Sequence, residues 1–350
     1  MRPKQFCIQI IILSFILQFS IILINVVVDP YDLFGFIDIH RKKIVAINNL
    51  KLRHALYANL KNTEILFLGS STALSGYAPH YSIPNMTHIY NAGLPGANIF
   101  EVKCYFQHFV NTNPIKVLFL NLDFFMFNAN RPRRPDFDET VLNLSKSSNI
   151  MMEKFSQTLK FLASAQTLVA SKKIFYSSYD TDVELFPNGF LERSKKQVYE
   201  KGHRYLFDQE LKSEREETYK NFSFQTSNFS TFSHLQDIFK VALNHQVKVY
   251  VIISPLHKEH NVLLKEMQVN KQYSLWKNQI QTIIHQMNSI APLASIDQIE
   301  FWDFSSINGI TDEIVPETNN HSSMKYFWDS MHFKYVLGDL MLKKILTSKI

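Results

Sequence analysis

Five short apolar runs, spread over most of the chain and separated by segments of helical period, constrain the fold more than any other feature. They are Ile65–Leu68, Thr87–Tyr90, Lys116–Leu122, Lys248–Ser254 and Ile299–Phe304. Ile65–Leu68, Lys116–Leu122 and Lys248–Ser254 are too short for buried helices and too apolar for strands with one wet face, so they read as strands covered on both sides, with Thr87–Tyr90 and Ile299–Phe304 as further short strands. Helical patterns at Ile99–Val110, Ser233–Asn244, Tyr273–Met287 and about Lys334–Leu346 lie between and after them. That alternation predicts an α/β fold: a three-layer sandwich with a central, mostly parallel five-stranded sheet. In such sheets the ligand crevice opens at the carboxyl ends of the strands.

The N-terminus constrains location. Phe6 to Val28 carries no charge, a run of about 23 residues where a membrane span needs about 20. Arg2 and Lys4 precede it and Asp29 and Asp32 follow, which predicts a cytoplasmic N-terminus and an extracytoplasmic remainder, periplasmic in a Gram-negative bacterium. No A-x-A-like site precedes Asp29, so residues 1–28 read as an uncleaved, single-pass signal anchor. The net charge of +6 comes from scattered Lys and Arg without an aromatic–basic groove, which argues against nucleic-acid binding. With two cysteines, Cys7 and Cys104, neither a disulfide framework nor a four-Cys zinc site is available.

Residues 29–62 read as a linker and an amphipathic helix over Arg41–Asn62. The pattern then breaks between 129 and 232, too long a stretch for an ordinary connection, so it reads as an insertion that caps or rims a site. Within it, Met151–Ala170 and Glu210–Thr218 are helix-like, and Pro187-Asn188-Gly189 marks a turn. The α/β domain is then expected from 63–128 and 233–350.

Chemistry-bearing residues gather at the strand ends. The first strand ends in Gly69 and then Ser70, Ser71 and Thr72; the second supplies Asn91 and Gly93; the third, Asn121 and Asp123. Ser254 and His257 follow the fourth, and Asp329 and His332 lie after the fifth. A serine, a carboxylate and a histidine on one sheet edge make a nucleophile, orienter and base set. Asp329 and His332, with two residues between them, can share one tight turn. Taken singly, Ser70 or Ser71 is as readily a helix cap, and Asp329 the cap of the last helix. His257 is expected to line the site, and His257 with His260 lacks the further ligands of a metal centre. Arg131, Arg133 and Arg134 read as a solvated basic loop.

With these residues in this order, the chain resembles the SGNH (GDSL-like) hydrolase superfamily. Gly69-Ser70-Ser71 corresponds to its G-D-S block, Gly93 to the glycine of its second block, and Asp329/His332 to its closing D-x-x-H. The anchor, the D-P-Y after it and the G-S-S variant resemble a membrane-anchored branch that includes the D-alanine transfer protein and alginate O-acetyltransferase-like proteins. The resemblance implies a Ser71–His332–Asp329 triad, with the N–H groups of Ser71 and Gly93 in the oxyanion hole and no cofactor or metal. The G-x-N-D block is replaced by Leu120-Asn121-Leu122-Asp123; Asn121 is the expected third oxyanion donor, with Asn98 as the other, while Ser70 and Asp123 line the site. The implied activity is that of an extracytoplasmic serine esterase or O-acyltransferase moving an acetyl or similar group on a cell-envelope or exported glycan, with a multi-pass membrane O-acyltransferase as a partner. The alternative is a catalytically silent, anchored scaffold that binds glycan or such an acyltransferase through the same cleft.

Overall fold

The computed structural model describes residues 3–35, 46–78, 88–142, 150–176, 183–290, 298–317 and 322–348, which fall into two compact units. One comprises Met1–Lys61 and Thr140–Thr181, the other Asn62–Glu139 and Asp182–Ile350.

The second unit holds the expected sheet. Strands β1 (Ile65–Leu68), β2 (Ile89–Asn91), β3 (Val117–Leu122), β6 (Lys248–Ile253) and β7 (Ile299–Asp303) pair in the order β2-β1-β3-β6-β7, every pair parallel. A separate antiparallel hairpin, β4 (Glu184–Leu185) with β5 (Leu191–Glu192), turns at Pro187-Asn188-Gly189. Asn188 O accepts the N–H of Asn91 at 2.8 Å, fixing that turn against the end of β2. The central strands β1 and β3 are buried along their whole length, which explains their uninterrupted apolar sequences. On one face Phe67, Phe119 and Tyr250 stand side by side in register, their rings stacked at 4.7 and 4.9 Å between centroids. Helices Ile99–Thr112, Phe232–Asn244, Lys258–Glu266, Asn270–Ile290 and Tyr335–Thr347 flank the sheet. The chain leaves β1 for β2 on one side and reaches β3 on the other, so the order reverses at β1/β3. That switch point is where open parallel sheets form their crevice.

The first unit contains one helix long and apolar enough to cross a membrane, Pro3–Val28. It packs with helices Ile150–Leu162 and Ala165–Tyr176, and helix Leu50–Leu60 packs on Ile150–Leu162. Asn25, the last polar residue of the apolar helix, donates to Leu162 O at 2.7 Å and accepts the Ser171 hydroxyl at 2.8 Å. The insertion expected over 129–232 is therefore not one body: its stretch 140–181 satisfies polar groups of the N-terminal helix, whereas 182–232 belongs with the sheet. Residues 29–35 are also more than a linker. The Asp29 carboxylate accepts the N–H groups of Leu33, Phe34 and Gly35, and Tyr31 and Leu33 are buried.

The helix expected over Met151–Ala170 is two helices, broken at Ala163 and Ser164. The helix expected over Arg41–Asn62 is observed at Leu50–Leu60; residues 41–45, like Thr87 of the expected second strand, lie outside the described residues. Glu210–Thr218 divides between the end of helix Lys195–Ser213 and a π-turn, closed by Tyr219 N–H on Glu214 O at 2.9 Å.

Candidate active site

Ser71 is presented by a strand-to-helix junction with little freedom. A Cβ on Gly69 would lie 2.6 Å from Asn121 O, so only glycine lets β1 run this close to β3 as it ends. Ser70 then caps the short helix Ser71–Gly76, its hydroxyl accepting Thr72 N–H at 3.2 Å. Ser71, the first residue of that turn, is half-buried while the rest of the turn is buried.

Asp329 and His332 come from a loop closed by a bridge between Phe327 and Phe333. Trp328 N–H donates to His332 O at 2.9 Å, and Asp329 Oδ1 accepts the N–H groups of Met331 and His332 at 3.0 and 2.8 Å. His332 Nδ1 is 2.9 Å from both Asp329 oxygens, and its Nε2 is 2.9 Å from Ser71 Oγ. An ionised carboxylate only accepts, so these bonds assign the imidazole hydrogen to Nδ1 and leave Nε2 as acceptor for the serine hydroxyl. Burial works to raise the Asp329 carboxyl, but His332 and Arg193 together hold it well below the usual carboxylate range.

The floor under Ser71 is a one-directional hydrogen-bond network. Tyr77 OH donates to Asn121 Oδ1 at 2.9 Å, and Asn121 Nδ2 donates to the hydroxyls of Thr72 and Ser254 at 2.8 and 2.7 Å. Thr72 at 2.8 Å, Ser70 at 2.5 Å and Ser254 in turn donate to the Asp123 carboxylate. Burial raises the Asp123 carboxyl, and the Ser254, Ser70 and Thr72 hydroxyls act against it. With Asp123 ionised, all three hydroxyls find an acceptor on its two oxygens.

This arrangement corrects three expected roles. Asn121 is fully buried with both amide hydrogens committed to Thr72 and Ser254, so it has none for an oxyanion. Ser70 and Asp123 belong to the buried floor and do not line the crevice. His257 does not line it either. It caps helix Lys258–Glu266, with Nδ1 accepting Glu259 N–H at 3.3 Å and Nε2 bonded to Glu313 O at 2.7 Å. Gly93 sits where a Cβ would be 2.4 Å from Leu74 N, so its bare backbone lets the two loops touch. Its N–H donates to Asn91 Oδ1 at 3.0 Å. Among the described residues, the Ser71 N–H has no acceptor.

Several residues absent from the sequence-based site crowd the triad, most of them from 182–232. Arg193 Nη1 is 2.6 Å from Asp329 Oδ2. Glu210 Oε1 lies 4.0 Å from His332 Nδ1, its carboxyl raised by burial and then by the neighbouring Asp329. One turn on, Glu214 is pushed up to about 8 by burial and by Glu210. Two buried histidines brace the loop. His203 Nε2 accepts Met324 N–H at 3.0 Å, so its Nδ1 donates to Trp328 O at 2.9 Å. His260 joins Tyr219 OH at 2.8 Å to the Ser330 hydroxyl at 3.2 Å. Burial pushes both histidines down to about 4, so they are neutral struts.

Glu210, Asp329 and His332 bring ligand-type atoms within 4.8 Å of one another. The cluster does not suit a metal ion. Arg193 already holds the free side of Asp329, and His332 Nδ1 carries a hydrogen where a lone pair would be needed.

No protein-family model matches the chain, and no curated protein matches it.

Proposed function

We propose that the chain is a membrane-anchored, extracytoplasmic serine esterase or O-acyltransferase of SGNH type, moving an acetyl or similar acyl group on a cell-envelope or exported glycan. The observation that carries this reading is the continuous hydrogen-bonded line Ser71 Oγ–His332 Nε2, His332 Nδ1–Asp329 at the switch point of the sheet. Ser71 Oγ attacks the acyl carbonyl while His332 takes its proton, and Asp329 holds the imidazole tautomer and stabilises the imidazolium. The tetrahedral intermediate collapses as His332 returns the proton to the departing alcohol, leaving an acyl-serine. Water or a glycan hydroxyl, deprotonated by the same imidazole, then releases the acyl group as acid or as a new ester.

The Ser71 N–H, at the head of its helical turn and free of an acceptor, is the oxyanion donor this reading uses first. Gly93 N–H joins it only by giving up Asn91 Oδ1, so its expected role becomes conditional. Arg193 and Glu210 do not touch the reacting atoms; they are positioning residues acting through Asp329 and His332. The N-terminal apolar helix supports the membrane anchor, and Arg2, Lys4, Asp29 and Asp32 support an inward N-terminus.

The purified full chain in detergent, given an aryl acetate with and without a neutral or acidic polysaccharide, tests the reading. Release of acetate alone makes it an esterase, and acetylated polysaccharide makes it a transferase; neither product, from folded protein, leaves the silent scaffold.

A further inference from the structure

In the N-terminal unit, helices Ile150–Leu162 and Ala165–Tyr176 form a hairpin whose turn meets the apolar helix Pro3–Val28 part-way along its length. Asn25 Nδ2 donates to Leu162 O at 2.7 Å, and Gln18 Nε2 donates to Ala163 O at 3.3 Å. At about 1.5 Å per residue, Asn25 and Gln18 stand roughly 5 and 15 Å inward of Val28 along the helix axis. Half of a hydrocarbon core is about 15 Å, so a turn held between these two side chains falls within the depth of one leaflet.

The turn is also finished as one in lipid has to be. The last carbonyls of a helix ordinarily go to water, which hydrocarbon does not supply. Here Phe161 O accepts the Thr167 hydroxyl at 2.9 Å, the anchor's Asn25 and Gln18 take the next two carbonyls, and Ser164 Oγ accepts Thr167 N–H at 3.2 Å. Asn25 in turn is fully buried and accepts the Ser171 hydroxyl, so the anchor and the hairpin satisfy each other.

The two faces of the hairpin differ. Its inner face packs Ala170 and Ile174 with Val28, Tyr31 and Leu33, and the Phe161 ring meets Tyr31 at 5.1 Å. Its outer face carries exposed apolar side chains at helical spacing: Met152, Phe155 and Leu159 on one helix, Val169 and Tyr176 on the other. Lys160, Lys172 and Lys173 stand exposed among them, with stems long enough to bring their ammonium groups to a headgroup layer. A groove of about 520 Å³, walled by Ile24, Leu168, Val169 and Tyr176, joins this face to the anchor's own exposed side.

We propose that residues 150–176 are a second membrane-contacting element, a helical hairpin inserted turn-first into the extracytoplasmic leaflet beside the anchor. The occupant of its outer face is phospholipid: acyl chains against Phe155, Leu159 and Val169, and anionic headgroups at the lysines. The inference rests on the membrane-anchor reading of the proposed function and is independent of the chemistry at Ser71.

Spin labels on the full chain in vesicles of phosphatidylethanolamine and phosphatidylglycerol test it. With Cys7→Ala and Cys104→Ala as background, labels are carried one at a time by Met152→Cys, Leu159→Cys and Val169→Cys, all at exposed positions. Phe19→Cys, exposed on the anchor, is the lipid reference, and Lys240→Cys, exposed on helix Phe232–Asn244, is the aqueous one. Relative access to oxygen, which concentrates in lipid, and to a water-soluble nickel chelate gives the depth of each label. Leu159 and Val169 are expected to match Phe19 in favouring oxygen. Leu159 is expected about 5–10 Å deeper than Met152, since seven residues of helix rise about 10 Å. If Phe19 lies in lipid while Leu159 and Val169 match Lys240, or are shielded from both reagents by protein, the hairpin is overturned and the anchor stands. Met152 and Leu159 at one depth would likewise overturn turn-first insertion. If Phe19 matches Lys240, the anchor reading fails and the proposal falls with it.

Discussion

Arg193 Nη1 lies 2.6 Å from Asp329 Oδ2, on the side of the carboxylate away from the backbone donors that hold Oδ1. The acid beside His332 is thereby fixed from two directions, by its own turn and by a cation that arrives after the β4–β5 hairpin. Arg193→Met removes one partner of a pair whose other member stays buried. Fully buried pairs cost about 3–5 kcal/mol to break, and the Arg193 side chain, 34% exposed, is partly rehydrated, so a loss of roughly 1–3 kcal/mol is expected. Chemical denaturation measures it; Arg193→Lys should recover part of the loss, and a variant as stable as wild type would show the contact to be incidental.

The sheet and the pairing of Asp329 with His332 were legible in the sequence because each follows from local rules. Strands buried on both faces must be continuously apolar, as β1 and β3 are, and a carboxylate three residues before a histidine can meet it in one turn. Ser71 was legible for a related reason: glycine followed by hydroxyls after a buried strand is a local signal. Arg193, Glu210, His203 and His260 carry no such mark. Their meaning comes from how 182–232 and the helix after β6 fold back onto the Trp328–His332 loop, a tertiary fact that no short window encodes. Asn121 was misassigned because its side chain's hydrogens go to Thr72 and Ser254, from two other parts of the chain. His257 was misassigned because a strand-end histidine and a capping histidine look alike until Glu259 N–H and Glu313 O are seen on its ring.

Glu210 Oε1 lies 4.0 Å from His332 Nδ1, so in the proposed reaction an ionised Glu210 adds to the stabilisation that Asp329, itself paired with Arg193, gives the imidazolium. Glu210→Gln should lower kcat by about five- to thirtyfold, a change of about 1–2 kcal/mol, with little effect on KM, because the charge matters only once the proton has moved. Steady-state kinetics on an aryl acetate separates this from a structural role, which would appear as lost stability with unchanged kcat in the folded fraction.

Glu214 and the buried histidines set opposite pH slopes on stability. Native Glu214 keeps its proton up to about 8, whereas the unfolded chain releases it near 4.3, so the native state binds more protons between these values and loses stability as pH rises across them. Glu214→Gln should therefore gain in melting temperature over wild type progressively from about pH 4.3 to 8, with the gap smallest at the acid end. His203 and His260, held neutral down to about 4, act in reverse: the unfolded chain takes up protons below about 6.5, and stability falls as pH drops from there toward 4. Melting curves across this range read both slopes. A Glu214→Gln advantage that does not change with pH would contradict the first.

Gly93 is expected to be intolerant for steric reasons. The Cβ of Gly93→Ala would fall 2.4 Å from Leu74 N and 2.6 Å from Leu74 Cα, backbone of the turn that begins at Ser71. Overpacking of this kind costs about 1–3 kcal/mol, and relief requires moving the Ser71 turn. Melting temperature and activity should fall together. A variant that loses activity at wild-type stability would instead place the Gly93 N–H in the oxyanion hole without Asn91 in the way.

The central claim is that Ser71 is a nucleophile activated by His332. A serine-reactive fluorophosphonate, incubated with the full chain and followed by intact mass and peptide mapping, tests it most directly. One covalent adduct, mapped to Ser71, abolished in Ser71→Ala and slowed at least about a hundredfold in His332→Ala, is the predicted result, since general-base assistance contributes about 10²–10⁴. No adduct, or equal labelling of wild type and Ser71→Ala, would contradict the account.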